Sequence, residues 1–247
     1  METTQKYPTE IVELPSKGKL YAKGSPLASG KLEMKYMTAK EEDILTNQNY
    51  IEKGVVIDKL LQSLIVDKTI NYSDILVGDK NALLVAARIL GYGKDYEFNY
   101  NGSVEMVDLS TLDNKELHPD IVAATENQFN YTLPATKKVI TFKLLSHGDE
   151  KGIEQEIKGL KKINRESSAD ISTRLKHMIV AVNGDSDVKG IRSFVDNEFL
   201  ARDSRAFRKH LADFQPDIDM KFYPENAPEG GVTIPIGISF LWPDAGL

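Results

Sequence analysis

With 247 residues, 41% of them hydrophobic and 28% charged, the chain has an ordinary globular composition and enough length to bury a full core. A formal net charge of −6 argues against a nucleic-acid-binding surface spread over the whole molecule, because phosphate contacts need an excess of Lys and Arg. There is no cysteine, which removes disulfides, thiolate metal sites and thiol chemistry together.

The opening METTQKYPTE has no basic region followed by an apolar one, so a secretory leader is not expected. The longest apolar run, Ala82–Ala87, falls far short of the ~20 residues that span a bilayer. A protein that stays in the cytoplasm where it is made is the expectation, and no membrane partner is assigned. The Asn-x-Ser/Thr triplets at Asn71, Asn101 and Asn130 then read as chance matches.

Residues 1–36 lack sustained periodicity and are rich in Gly, Pro and Ser, which predicts an extended arm with turns. Leu14, Leu20, Tyr21 and Leu27 can anchor it, either on its own domain or on another subunit. Residues 37–94 read as a helical lobe. Thr38 and Glu41 form a capping box, and Ile57, Leu60, Leu61, Leu64 and Ile65 keep helical spacing. Asp79 is placed as the N-cap of a helix over 80–90 that Gly91 closes; its ALLVAA core is apolar nearly all round, as a central helix would be.

Residues 95–146 read as an antiparallel β-ribbon. Tyr96, Phe98 and Tyr100 alternate with polar residues up to Asn101-Gly102, a strong hairpin signal, and a second strand pair flanks Pro134. Residues 147–247 read as a second helical lobe ending in a β-hairpin. Asp149 caps a helix carrying Ile153, Ile157 and Leu160; another runs from 169 to 181; a third starts after Asp187 with Val188, Ile191, Val195 and Phe199 in register. Asp203 caps a helix bearing Phe207, Leu211 and Phe214, which Pro216 stops. Ile218, Met220 and Phe222, then Val232 to Phe240, alternate as strands, with Pro235 marking an edge. The predicted class is α+β: N-terminal helical lobe, central ribbon, C-terminal helical lobe, terminal hairpin.

Enzyme signals are scarce. The histidines at 118, 147, 177 and 210 are scattered, with no HExxH and no nucleophile elbow. Gly91-Tyr-Gly93 and Gly78-Asp-Lys80 lack the remaining glycines of phosphate-binding loops. The frame from Asp185 to Asp196 mimics a calcium loop, but Lys189 would put a cation in the ligand cage. His147-Gly-Asp149-Glu150 reads as a turn and helix start. No catalytic, cofactor or metal residues are assigned, and no cofactor is expected. The one notable charge pattern is Arg202, Arg205, Arg208 and Lys209, opposite Phe207, Leu211 and Phe214. It is either a solvated face paired with Asp203 or Asp217, or a docking surface for an acidic partner. Phe240, Leu241 and Trp242 are either interface anchors or core closure.

The blocks LPSKGKLY, MTAKEEDIL, YSDILVGDKNALLVAARILGYG, DNEFLARDSRAFRKH, PDIDMKFY and IPIGISFLWPD, in that order, resemble the baseplate hub family of T-even-type contractile-tailed bacteriophages over nearly the whole chain. The family includes a small hub subunit and a hub assembly catalyst. The resemblance implies a non-enzymatic protein of tail morphogenesis whose partners are other hub proteins and the tape-measure protein. It leaves room for a homo-oligomer and assigns no nucleic-acid role. Such a protein is either retained in the virion baseplate or acts as a chaperone-like factor in the host cytoplasm and leaves. Some relatives carry a CPxC-like knuckle after the DYEF-type strand; here Asn99-Tyr-Asn101-Gly102 stands there, so no zinc site comes with the resemblance.

Overall fold

The computed structural model describes residues 8–163, 169–223, 230–236 and 238–242. Strands β1 (Thr9–Glu13) and β2 (Lys31–Lys35) pair antiparallel, Thr9 opposite Lys35 and Glu13 opposite Lys31. Helices α1 (Ala39–Leu45), α2 (Gln48–Glu52), α3 (Val56–Leu64) and α4 (Val77–Tyr92) follow. A second antiparallel pair, β3 (Asp95–Tyr100) and β4 (Ser103–Asp108), leads to α5 (Pro119–Ala123). Next come β5 (Phe129–Thr132), β6 (Val139–Phe142), α6 (His147–Ile163), α7 (Asp170–Met178) and β7 (Ile179–Val182). The strands β5, β6 and β7 form one antiparallel sheet with β6 in the middle. Then α8 (Val188–Asn197), α9 (Ala201–Phe214), the short pair β8 (Lys221–Phe222) and β9 (Val232–Thr233), and α10 (Ile238–Leu241) complete the α+β fold. Among the described residues no helix is long and apolar enough to cross a membrane.

These elements enclose two hydrophobic cores. The first gathers Leu32 and Met34 of β2, Leu60, Leu61 and Leu64 of α3, Leu83 of α4, Tyr96 and Phe98 of β3, and Ile234, Phe240 and Leu241 from the end of the chain. The second gathers Phe129, Ile140 and Phe142 of the three-stranded sheet, Ile153 of α6, Leu175 of α7, Ile191 and Phe194 of α8, and Phe207 and Phe214 of α9. Local rules account for many of the elements. Glu41 accepts the Thr38 N–H at 3.0 Å, the return bond of a capping box, and also the Thr38 hydroxyl at 2.7 Å. Asn101 (φ 49°) and Gly102 (φ 86°) supply the two left-handed residues of the β3–β4 turn. Asp187 caps α8 by accepting the Gly190 N–H at 2.7 Å.

Several expectations need correcting. Residues 9–35 are not an extended arm: β1 and β2 pair across a 3-10 turn at Pro26–Ser29, and Leu14, Leu27, Leu32 and Met34 are buried in the first core. The ribbon over 95–146 is two separate sheets, the β3–β4 pair on the first core and β5–β6 on the second. The helix expected over 169–181 stops at Met178, because Ile179–Val182 complete the sheet on the free side of β6. Val188, expected on the apolar face of α8, is 66% exposed.

The end of the chain departs furthest from expectation. Among the described residues two pair on each side of the terminal hairpin, and Ile238–Leu241 turn helical instead of extending the strand. Part of the connecting loop, residues 224–229, lies outside the described residues. The returning segment is seated by a close backbone approach: a Cβ on Gly78 would lie 1.7 Å from the Pro216 carbonyl oxygen. Asn81 then donates to both Asp217 carboxylate oxygens, at 3.0 and 3.2 Å.

Neither Asp79 nor Asp203 is an N-cap. Their helices begin two residues earlier, each after a leucine in extended backbone, Leu76 and Leu200. Gly91 lies inside α4, where a Cβ would press on the Met37 sulfur at 2.6 Å; Gly93, at φ 84°, ends the helix instead.

Candidate functional site

Helix α9 places Arg202, Arg205, Arg208 and Lys209 on one exposed face. Its other face is locked down by aromatic contacts. Phe207 meets Phe142 edge-on at 5.1 Å, Phe214 meets Phe129 at 4.8 Å, and His210 stacks on Tyr131 at 4.6 Å. Partial burial, reinforced by the neighbouring His118, keeps the His210 imidazole below its ordinary pKa, so the inner face of α9 favours a neutral ring.

Both carboxylates that the sequence offered to the stripe are engaged elsewhere. Asp203 accepts the Ala135 N–H at 2.7 Å, the Thr136 N–H at 3.1 Å and the Thr136 hydroxyl at 2.9 Å. Asp217 is held by Asn81 of α4. Among the described residues, none of the four cations takes part in an ion pair or a side-chain hydrogen bond. The stripe is therefore a cationic surface presented by a rigid helix, with Arg202 also lowering the pKa of Asp203 from a distance.

Phe240 and Leu241 are placed differently from what partner anchors require. Phe240 and Leu241 are 0% and 1% exposed, and Phe240 meets Tyr96 edge-on at 4.9 Å. Both close the first core, so they are not free for a partner; the helical turn over Ile238–Leu241 breaks the period-2 reading that left them on an edge. Trp242 is partly buried against the same core.

Sequence reasoning missed the densest polar cluster. Asp58 of α3 accepts from Lys80 Nζ at 2.7 Å and from the Tyr72 hydroxyl at 3.2 Å, while its other oxygen faces His147 Nε2 at 3.3 Å without a well-directed hydrogen bond. Lys80 Nζ also lies 3.3 Å from His147 Nδ1, and Tyr72 packs edge-on to the imidazole at 4.6 Å. Burial opposes ionisation of Asp58, but the close contact of His147, with its charge, and the hydrogen bond and charge of Lys80 outweigh it and hold the carboxyl well below its usual range. Burial, then Asp58, push the Tyr72 phenol up. Asp58 and His147 are 8% and 4% exposed, so the cluster joins α3, α4 and α6 across the two cores with little opening to solvent. Its members stand 22 and 67 residues apart, and no local motif announces them.

The other sequence candidates separate. Asp149 turns to Lys143 at 2.7 Å and to the Ser146 N–H at 3.0 Å, away from His147. In the calcium-like frame, Asp185 accepts the Asp187 N–H, Asp187 caps α8, and Asp196 pairs with Lys176 at 2.6 Å. Among the described residues no group of three or more His, Asp or Glu is placed to hold a metal ion. Comparison with protein-family models, with curated proteins and with solved structures found no match in any of the three.

Proposed function

We propose that this chain is a non-enzymatic structural or assembly protein of a contractile phage tail baseplate hub, acting through protein–protein contacts. The observation that carries the reading is the α9 face: four cations on a helix clamped from beneath by Phe207 and Phe214, none of them in an ion pair or side-chain hydrogen bond among the described residues. In a protein of net charge −6 such a face is a local exception, and it suits an acidic surface on a hub or tape-measure partner. A helix held rigid before binding loses little further freedom on docking.

Two further observations support the reading. The buried ionisable groups are spent on holding the chain together: Asp58 joins α3, α4 and α6, and Asp79 and Asp203 tie loops to helices. The blocks that carry the family resemblance also bind one another, since Ser16 and Tyr21 of LPSKGKLY hold Asp79 of the α4 block.

The test is capture of isolated hub intermediates by the purified chain, beside a variant carrying Arg202→Glu, Arg205→Glu, Arg208→Glu and Lys209→Glu. The proposal expects association to slow by about tenfold or more at low salt and the difference to narrow as salt is added. Equal capture by the variant at low salt would remove the stripe from the account. Retention on DNA at low salt by the native chain alone would move it to a nucleic-acid role.

A further inference from the structure

We infer that the outer edge of β1 is a strand-addition site for an extended, basic segment of a partner protein. Among the described residues β1 pairs with β2 and with no other strand. The Leu14 N–H reaches Gly30 O at 2.8 Å and Pro8 O accepts from the Tyr36 N–H at 3.1 Å, so the even-numbered residues direct their backbone groups toward β2. By alternation, the N–H and C=O groups of Thr9, Ile11 and Glu13 point away from it. Among the described residues no backbone hydrogen bond from beyond the sheet reaches them. The corresponding edge of β2 is different, since Glu33 O accepts from the Val66 N–H at 3.0 Å.

Beside the open edge runs a groove of about 440 Å³. Ala82, Val85, Ala86 and Ile89 of α4 form its apolar lining on one side, and Leu112 and Ile218 lie on another. A strand laid about 4.8 Å from β1 would bond to Thr9, Ile11 and Glu13 and set alternate side chains on that lining. β1 is short and bears Glu10 and Glu13, but it carries no Lys, no Pro and no bulge, and Ile11 is 65% exposed.

The charge of the groove selects the occupant. Its lining includes two carboxylates, Glu10 and Glu13, and no Lys or Arg. Glu13 faces Lys31 at 3.3 Å, but both side chains are mostly exposed, so that pair is worth little and can be exchanged for a partner's cation. The complement is an extended segment with apolar residues at alternate positions and Lys or Arg between them.

The inference rests on the reading that this chain works through partner contacts, but its test uses the isolated protein and needs no phage component. The probe is an acetylated, amidated octapeptide of alternating valine and lysine, titrated by fluorescence anisotropy and followed by amide hydrogen exchange, beside an alternating valine–glutamate peptide. The expected result is saturable binding of the lysine peptide, about tenfold weaker binding of the glutamate peptide, and new protection at Thr9, Ile11 and Glu13. Ile11→Pro removes an outward N–H without touching the β1–β2 ladder and is expected to weaken binding about tenfold. Ala86→Arg, on the half-buried groove lining, should do the same with an unchanged circular dichroism spectrum, and it serves if the proline variant does not fold. No saturable binding, or equal binding by folded Ala86→Arg, would overturn the proposal. So would protection of those three amides in the free protein, because the edge would then already hold a second copy or another part of the chain.

Discussion

Asp79 and Asp203 occupy the same local position, the third residue of a helix entered through an extended leucine, one on each core. Each is 0% exposed and each turns its carboxylate to a distant loop. Asp79 accepts the Ser16 N–H at 2.8 Å and the hydroxyls of Ser16 and Tyr21 at 2.6 Å each, whereas Asp203 accepts two backbone N–H groups and one hydroxyl from the β5–β6 turn. Their titrations nevertheless move in opposite directions. Burial raises the Asp79 carboxyl and the charge of Asp217 adds to it, against the bonds from Ser16 and Tyr21. Burial also opposes the charge on Asp203, but there the bonds from Ala135 and Thr136 prevail and Arg202 helps. The second charge in each neighbourhood therefore matters alongside the hydrogen bonds.

The cores around them differ in the same spirit. The second is drawn mostly from 117 to 214, while the first needs β1, β2 and the segment from Ile218 to Leu241 at opposite ends of the chain. Truncation after Tyr223 should accordingly produce the largest effect. Losing Phe240 alone from a full core costs about 3–5 kcal/mol, so hydrogen exchange should show α4 and β3 unprotected while the β5–β6–β7 sheet keeps its protection. Loss of both together would mean that the cores are one cooperative unit.

Smaller changes address the two aspartates. Asp203→Ala leaves the Ala135 and Thr136 N–H groups without their acceptor and should cost about 3 kcal/mol in urea unfolding. Asp79→Asn keeps an acceptor of the same size and should cost about 1–2 kcal/mol. The pH dependence then separates them. A raised folded pKa gives Asp79 a contribution that is complete below ~3.9, the ordinary aspartate value, and lost as the pH rises through the folded value. A depressed one gives Asp203 a contribution present above ~3.9 and lost as the pH falls through its folded value. The deficit of Asp79→Asn should thus shrink as the pH rises, and that of Asp203→Asn as it falls. Parallel trends would sink the contrast. The smallest stability effect is expected from Arg205→Glu, Arg208→Glu and Lys209→Glu on α9, within about 0.5 kcal/mol in the same unfolding assay, because those exposed side chains make no ion pair or side-chain hydrogen bond among the described residues.

What could be read from the residues beforehand follows a physical division. Periodic segments with local caps were legible: Leu60, Leu61 and Leu64 in α3, the Asn101-Gly102 hairpin, and the Phe207–Phe214 face of α9. The β1–β2 pair was hidden by its brevity and by the Gly- and Pro-rich residues between its strands, whose pairing depends on burial against α3 and α4. Strand β7 was hidden because Leu175 to Val182 is apolar enough to continue a helix, and only the open side of β6 makes it a strand. Asp79 and Asp203 resemble caps because aspartate before a helical face is usually local; a serine 63 residues away and a turn 67 residues away claimed them instead. The α9 stripe could be seen from spacing alone, but that its cations form no ion pair among the described residues depended on where Asp203 and Asp217 went.

The central claim, that this chain belongs to a tail baseplate hub, is met most directly by quantitative mass spectrometry of hub intermediates and mature virions from infected cells. The account predicts the chain at a fixed ratio to hub proteins in the intermediates, with its presence or absence in virions separating a retained subunit from a factor that leaves. Its absence from both, while it is abundant elsewhere in the cell, would contradict the account.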